Sequence, residues 1–138
     1  MTTSVARTDV SPVVERFLTA IEHGEPTQLE GLYAPTATLD ATVPGWRFEL
    51  QGPEAISAEY GRWFAHAGRF EELQRRATGD GEVVTYVLDW EEDGVPHAAH
   101  HCHVLTVTDG RIVHEQVWCG GRWPAGLLAE MEAARHAH

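Results

Sequence analysis

The chain has 138 residues, 21 acidic against 10 basic side chains, a formal net charge of −11 with histidine neutral, nine histidines and two cysteines. That length fits one domain with a core large enough to enclose one pocket, and an acidic chain without a basic stripe repels phosphate backbones and anionic lipid, so neither nucleic acid nor a membrane is an expected partner. No apolar stretch approaches the ~18 residues of a membrane span, no cationic and then apolar opening reads as a secretion signal, and two cysteines make no cross-link framework; a cytoplasmic location with reduced thiols is the expectation.

Residues 1–10 are small, polar and without period, which predicts a flexible leader; the folded domain is expected over 11–124. Ser11 followed by Pro12 reads as an N-cap with proline at the first helical position, and Val13, Val14, Phe17, Leu18 and Ile21 repeat at helical spacing up to the stop at Gly24. A short helix from Thr27 to Leu32 precedes a strand bounded by Pro35 and Pro44, and Gly52-Pro53-Glu54 opens another helix whose face carries Ile56, Tyr60, Trp63 and Phe64. From Glu71 the period becomes alternating, with strands expected at about 71–78, 82–91, 96–108 and 111–123. Asp93-Gly94 and Asp109-Gly110 are two-residue hairpin signals, because the favoured turn needs positive φ at both positions. After Pro124, residues 125–138 read as a C-terminal helix with a polar tail.

The hairpin turns predict a register. With Asp109-Gly110 as the turn, Thr108 opposes Arg111, His103 opposes Gln116 and His100 opposes Cys119. One face then carries Tyr86, Leu88, Trp90, His101, His103, Leu105, Ile112, His114, Gln116 and Trp118; the other carries Thr85, Asp89, His100, Cys102, Glu115, Val117, Cys119 and Trp123. Both faces are half apolar, which suits an α+β fold with helices on one side of the sheet and a second subunit on the other.

Three stretches carry a family resemblance: SPVVERFLTAIEHGEPTQLEGLYAPTATLDATVP, LQGPEAISAEY and DGRIVHEQVW. In the order helix, short helix, strand, helix, antiparallel meander, the chain resembles the nuclear transport factor 2-like, SnoaL-like superfamily over about residues 12 to 123. The resemblance implies an α+β cone in which a curved antiparallel sheet packs on three helices and encloses one apolar pocket, a homodimer built on the sheet's other face, and relatives that include ketosteroid isomerases and polyketide cyclases. On the isomerase pattern Phe17 and Cys102 stand where the two oxyanion donors would be, Ala41 where the base would be, with Asp40 beside it, while Tyr60 and Trp123 match pocket aromatics. On the cyclase pattern Val117 stands where a catalytic aspartate often lies.

That alignment makes the second face the cavity face and singles out Glu115, because a carboxylate in an apolar cone is desolvated and becomes a competent acid or base near neutral pH. His100 is its expected partner and Asp40 a further catalytic candidate if a bulge turns it inward. Phe17, Trp46, Tyr60, Trp63, Cys102, Val117, Cys119 and Trp123 are the expected substrate-binding residues, and the aromatic bulk favours a small, flat, apolar molecule. Cys102 and Cys119 fall diagonally across the hairpin, too far apart for an unstrained disulfide. The cluster His97, His100, His101, His103 and His114 invites a metal reading, but its spacing matches no defined motif; a subunit contact with Tyr86, Trp90 and Trp118, titrating near pH 6 to 7, is expected instead, with no metal. No Gly-rich phosphate loop follows a strand, so no cofactor is expected. The resulting expectation is a cofactor-independent enzyme of isomerase, cyclase, dehydratase or epoxide-hydrolase type that acts by proton transfer on an apolar metabolite; the alternative is a non-catalytic small-molecule-binding or dimerisation module of the same fold.

Overall fold

The computed structural model describes residues 10–137, so the expected leader, apart from Val10, lies outside the described residues. Helix α1 (Pro12–Glu22) is followed by a 3-10 helix (Pro26–Leu32), strands β1 (Tyr33–Val43) and β2 (Trp46–Gln51), helix α2 (Pro53–Trp63), strands β3 (Gly68–Ala77), β4 (Gly81–Glu92), β5 (Val95–Thr108) and β6 (Arg111–Pro124), and helix α3 (Ala125–Ala137). Ser11 caps α1 in extended geometry with Pro12 at the first position, and the buried stripe Val13, Val14, Phe17, Leu18, Ala20 and Ile21 faces the sheet. At about 1.5–3 kcal/mol for each large apolar side chain removed from water, that stripe is what holds so short a helix in place. In α2, Ile56 and Tyr60 are four residues apart and both fully buried.

The strands form one curved, unclosed sheet in the order β2-β1-β6-β5-β4-β3. All neighbours are antiparallel except β1 and β6, which run parallel. Two differences from the sequence reading concern β1 and β2. Pro35 lies inside β1, where the register against β6 shifts between Tyr33 and Thr38, and β2 is a strand in its own right after the Pro44-Gly45 turn. Its side chains alternate only between exposed and half-buried, which is why hydrophobic pattern did not reveal it. Both Asp-Gly turns form with the expected positive φ, 51° and 77° at Asp93 and Gly94, 51° and 76° at Asp109 and Gly110.

The consequential difference is a register slip in the last hairpin. Thr108 opposes Arg111 and Val107 opposes Ile112 as expected, but Thr106 then opposes His114 and His103 opposes Val117, leaving Val113 as one extra residue in β6. Because side chains alternate with period two, one inserted residue exchanges the faces of everything beyond it. Glu115, Val117 and Cys119 therefore share the inner face with His101, His103, Tyr86, Leu88 and Trp90, while His100 and Cys102 turn outward. The two cysteines are free and on opposite faces.

A buried ion pair ties α1 to the sheet. Glu82, fully buried on β4, accepts the backbone N–H of Ser11 at 2.6 Å and a forked contact from Arg75 of β3, Nε and Nη2 each at 2.9 Å; Arg75 also reaches the carbonyl of Ser11 at 3.2 Å and Glu15 at 2.5 Å.

Candidate active site

Glu115 sits at the centre of the inner face with no exposed surface, and three donors converge on it from three elements. The hydroxyl of Tyr33, at the start of β1, donates to Oε1; the hydroxyl of Tyr60, from α2, donates to Oε2 at 2.6 Å; and Nδ1 of His103, from β5, lies 2.6 Å from Oε2. The parallel pairing of β1 with β6 is what delivers Tyr33, and the buried stripe of α2 is what delivers Tyr60.

The network continues away from the carboxylate. Nε2 of His103 lies 2.8 Å from the hydroxyl of Tyr86, that hydroxyl lies 3.0 Å from Nδ1 of His101, and Nε2 of His101 lies 3.1 Å from Sγ of Cys119, which also accepts the backbone N–H of Gly121 at 3.3 Å. Gly121 has φ of 110°, a conformation that suits glycine, within a second irregularity of β6 where Ala99 opposes Arg122 and His101 opposes Cys119. Every buried side-chain nitrogen and oxygen among the described residues has a partner.

Donor and acceptor roles along this chain follow from the inventory of each group. With Glu115 as a carboxylate, which only accepts, Nδ1 of His103 donates to it and Nε2 accepts from Tyr86; the Tyr86 oxygen then accepts from Nδ1 of His101, and Nε2 of His101 accepts the thiol proton of Cys119. All the donors point toward Glu115. Burial first, and the charge of Glu115 second, push the hydroxyls of Tyr33, Tyr60 and Tyr86 well above the usual tyrosine range and keep them protonated. Burial, followed by His103 and His100 as neighbours, pushes His101 down to about 3, and burial also raises the Cys119 thiol.

The His101 shift makes a stability prediction. Between pH 6.5, where histidine ordinarily titrates, and about 3, the unfolded chain binds a proton that folded His101 refuses. Stability therefore falls as pH drops below about 6.5, by up to about 1.4 kcal/mol per pH unit from this group. Urea midpoints of the protein and of His101→Phe between pH 7.5 and 5 check this: the variant is expected to lose that part of the slope, and an identical slope would remove the assignment.

Cys119 and His101 reach the wall of a cavity of about 310 Å³, whose other walls are Val43, Pro44, Trp63, Phe64, Leu88, Trp90, Ala99 and Gly121, with Arg62 and Arg122 beside them. The relay therefore runs from an apolar cavity to a buried carboxylate.

Of the residues singled out from sequence, Glu115, Tyr60, Trp63 and Cys119 meet in this relay and cavity. Phe17 is fully buried and packs edge-on against His103 and Tyr60, with ring centroids 5.1 and 6.2 Å apart, behind the relay instead of in the cavity wall. Val117 is buried in the core. His100 does not partner Glu115: it is exposed on the outer face near Trp123, itself half-buried there, because the Val113 bulge reversed the expected facing. Cys102 faces outward for the same reason, opposite Trp118. Asp40 stays on the outer side between inward Leu39 and Ala41 and is held by Arg47 at 2.6 Å, which lowers its carboxyl; no bulge turns it inward. Trp46 is 69% exposed at the β1–β2 turn. Of the histidines expected at a subunit contact, His101 and His103 are instead interior, while His97 stacks on Trp90 and His114 bonds Thr38 at 2.6 Å. Among the described residues no group of three His, Cys, Asp or Glu side chains is arranged to hold a metal ion.

Tyr33, Tyr86, His101, His103 and Arg122 are site residues that the sequence reading did not place in the cavity region. The shared face of Tyr86, His101 and His103 was legible; that it is the inner face was not.

A model of the SnoaL-like domain matches residues 14–115, most of the chain, and the protein belongs to that family. Solved structures share its fold. An NTF2-like protein of unknown function from Mesorhizobium loti superposes with a TM-score of 0.61 at 23% identity, covering 79% of this chain and 88% of that one. A protein of ketosteroid isomerase-like fold from Catenulispora acidiphila, solved with trimethylamine, gives 0.60 at 19% identity over 80% and 88%. An LEH-like epoxide hydrolase from M. tuberculosis gives 0.62 at 17% identity over 81% and 83%. Among curated proteins no sequence match is found. No helix among the described residues is long and apolar enough to cross a membrane.

Proposed function

We propose that the protein is a cofactor-independent enzyme that removes a proton from an apolar carbonyl compound held in the cavity, chemistry of the isomerase or cyclase type. The observation that carries this reading is the unbroken hydrogen-bond chain from Cys119 at the cavity wall, through His101, Tyr86 and His103, to Glu115. A base so placed meets a difficulty: His101 is too desolvated to hold a positive charge. The relay removes it, because each group gives up one proton as it accepts another.

The substrate C–H proton passes to Sγ of Cys119 as the thiol proton moves to Nε2 of His101. The Nδ1 proton of His101 moves to Tyr86, and the phenolic proton of Tyr86 moves to Nε2 of His103. The added proton comes to rest between His103 and Glu115, and the electron pair of the broken C–H bond is delocalised into the substrate carbonyl. Reversal of the chain at another carbon completes an isomerisation. General acid–base catalysis of this kind contributes about 10²–10⁴-fold. The SnoaL-like fold and a neighbour described as an epoxide hydrolase support a small-molecule reaction, but the site alone carries the choice of proton transfer. A homodimer through the outer sheet face, where Trp118 is 43% exposed, belongs to the same proposal.

The test is α-deuteration of 2-tetralone, a flat apolar ketone, followed by NMR in D2O. The protein is expected to accelerate exchange over buffer. Tyr86→Phe, which deletes the one oxygen joining the two imidazoles, is expected to reduce that acceleration by about 10²-fold or more. Exchange no faster than in buffer, or a Tyr86→Phe rate within about threefold of the parent, overturns the reading.

A further inference from the structure

Two matched clamps stand beside the cavity. On one side Glu59 takes the indole N–H of Trp63 on Oε2, at 2.9 Å, and Nη2 of Arg62 on Oε1. On the other Glu92 takes the indole N–H of Trp90 at 2.9 Å and Nη2 of Arg122, and the Arg122 guanidinium lies 5.5 Å over the Trp90 ring. In each, a glutamate fastens an arginine to the tryptophan that forms a cavity wall.

The clamps hold the arginines without consuming them. Each glutamate meets its arginine at Nη2, no hydrogen bond among the described residues engages Nε or Nη1 of either guanidinium, and the side chains are 71% and 57% exposed. An arginine fork has five N–H donors and suits the planar geometry of a carboxylate. Neither glutamate lines the cavity, whereas both arginines do, and among the described residues they are the only Asp, Glu, Lys or Arg side chains that do so. Both belong to a chain whose 21 acidic residues outnumber its ten basic ones, all arginine. The body of the cavity, from Leu88 and Ala99 to the two indoles, is apolar.

We infer that the cavity takes a flat apolar molecule bearing a carboxylate, whose ring system lies between Trp63 and Trp90 and whose anionic head is held by Arg62 and Arg122. The inference rests on the proton-transfer reading only for what happens after binding. An anionic head at the arginines fixes which end of the substrate faces Cys119 and His101, so the clamps select both the substrate and the carbon that loses its proton.

Three compounds on one ring body test it: naphthalene-2-carboxylate, 2-naphthamide and 2-naphthylmethylammonium, titrated by calorimetry against the full chain. The carboxylate is expected to bind at least about tenfold more tightly than the amide, and the ammonium least tightly. In the double variant Arg62→Gln, Arg122→Gln, with an unchanged melting temperature, the carboxylate is expected to fall to within about threefold of the amide. Equal affinities in the parent, a preference for the ammonium, a preference that survives in the double variant, or no binding by any of the three overturns the proposal. Tyr86→Phe separates the two readings, since it leaves the arginines in place: a carboxylate preference that persists beside unchanged tetralone exchange sinks the relay alone, and relay-dependent exchange without a carboxylate preference sinks the anion site alone.

Discussion

Glu115→Gln is expected to lower α-deuteration of 2-tetralone by about 10²–10⁴-fold while the protein stays folded. Glutamine has nearly the same shape, and its carbonyl oxygen can take the place of Oε2, where the Tyr60 hydroxyl and His103 Nδ1 converge. Its amide nitrogen then faces the Tyr33 hydroxyl, which loses its acceptor. That lost bond costs about 1–3 kcal/mol, offset in part because a buried charge is no longer held out of water. The kinetic loss has a different cause. An amide takes no proton at neutral pH, so a proton entering at Cys119 would leave His103, fully buried, with a positive charge and no carboxylate to share it. The fall of two to four powers of ten corresponds to about 3–5 kcal/mol in the barrier, beyond what a small packing change in a folded protein supplies. Exchange within about threefold of the parent, in a variant shown by circular dichroism to be folded, would mean that protons do not end at Glu115.

The largest effect on stability is expected at Arg75. Glu82 has no exposed surface, and its charge is met by the Arg75 fork and the Ser11 N–H. Arg75→Met keeps a long side chain but removes the counter-charge, and stranding a buried carboxylate in this way costs about 3–5 kcal/mol. Against a total stability of about 5–15 kcal/mol for a domain, such a loss removes a large share of the margin. Ser11 begins α1, so the damage is local first: the helix loses its tie to β3 and β4, and with it the support behind Phe17 and the relay. The double variant Arg75→Met, Glu82→Leu is expected to recover most of the loss, since no unpaired charge remains, and urea unfolding of the two variants measures the difference. A double variant no more stable than Arg75→Met would show that packing around Arg75, and not its charge, is what matters.

Much of the architecture was legible because local chemistry agreed with it. Ser11-Pro12 and Pro53 open the helices they were expected to open, the two Asp-Gly pairs turn with positive φ, and the spacing of Val14, Phe17, Leu18 and Ile21 fixes which side of α1 is buried. Glu115 was singled out because the family resemblance placed its face toward the cavity, and it is buried. The facing of β4 and β5 was not legible. Both faces of these strands carry apolar and polar residues in similar measure, so the hydrophobic pattern could not choose between them, and the choice fell to a hairpin register that is correct for only two pairs before Val113 interrupts it.

What the sequence by itself determined is the order of the elements apart from β2, the two Asp-Gly turns and the family-like course of the chain, because capping, helical periodicity and positive-φ turns act over a few residues. What only the tertiary structure decided is the identity of the groups that meet Glu115. Tyr33 arrives through a parallel pairing of strands that lie at opposite ends of the chain, and Tyr86, His101 and His103 arrive because one bulged residue turned Glu115 to their side. A bulge is a compromise between strand curvature and the packing of both faces, and neither exists until the sheet is assembled.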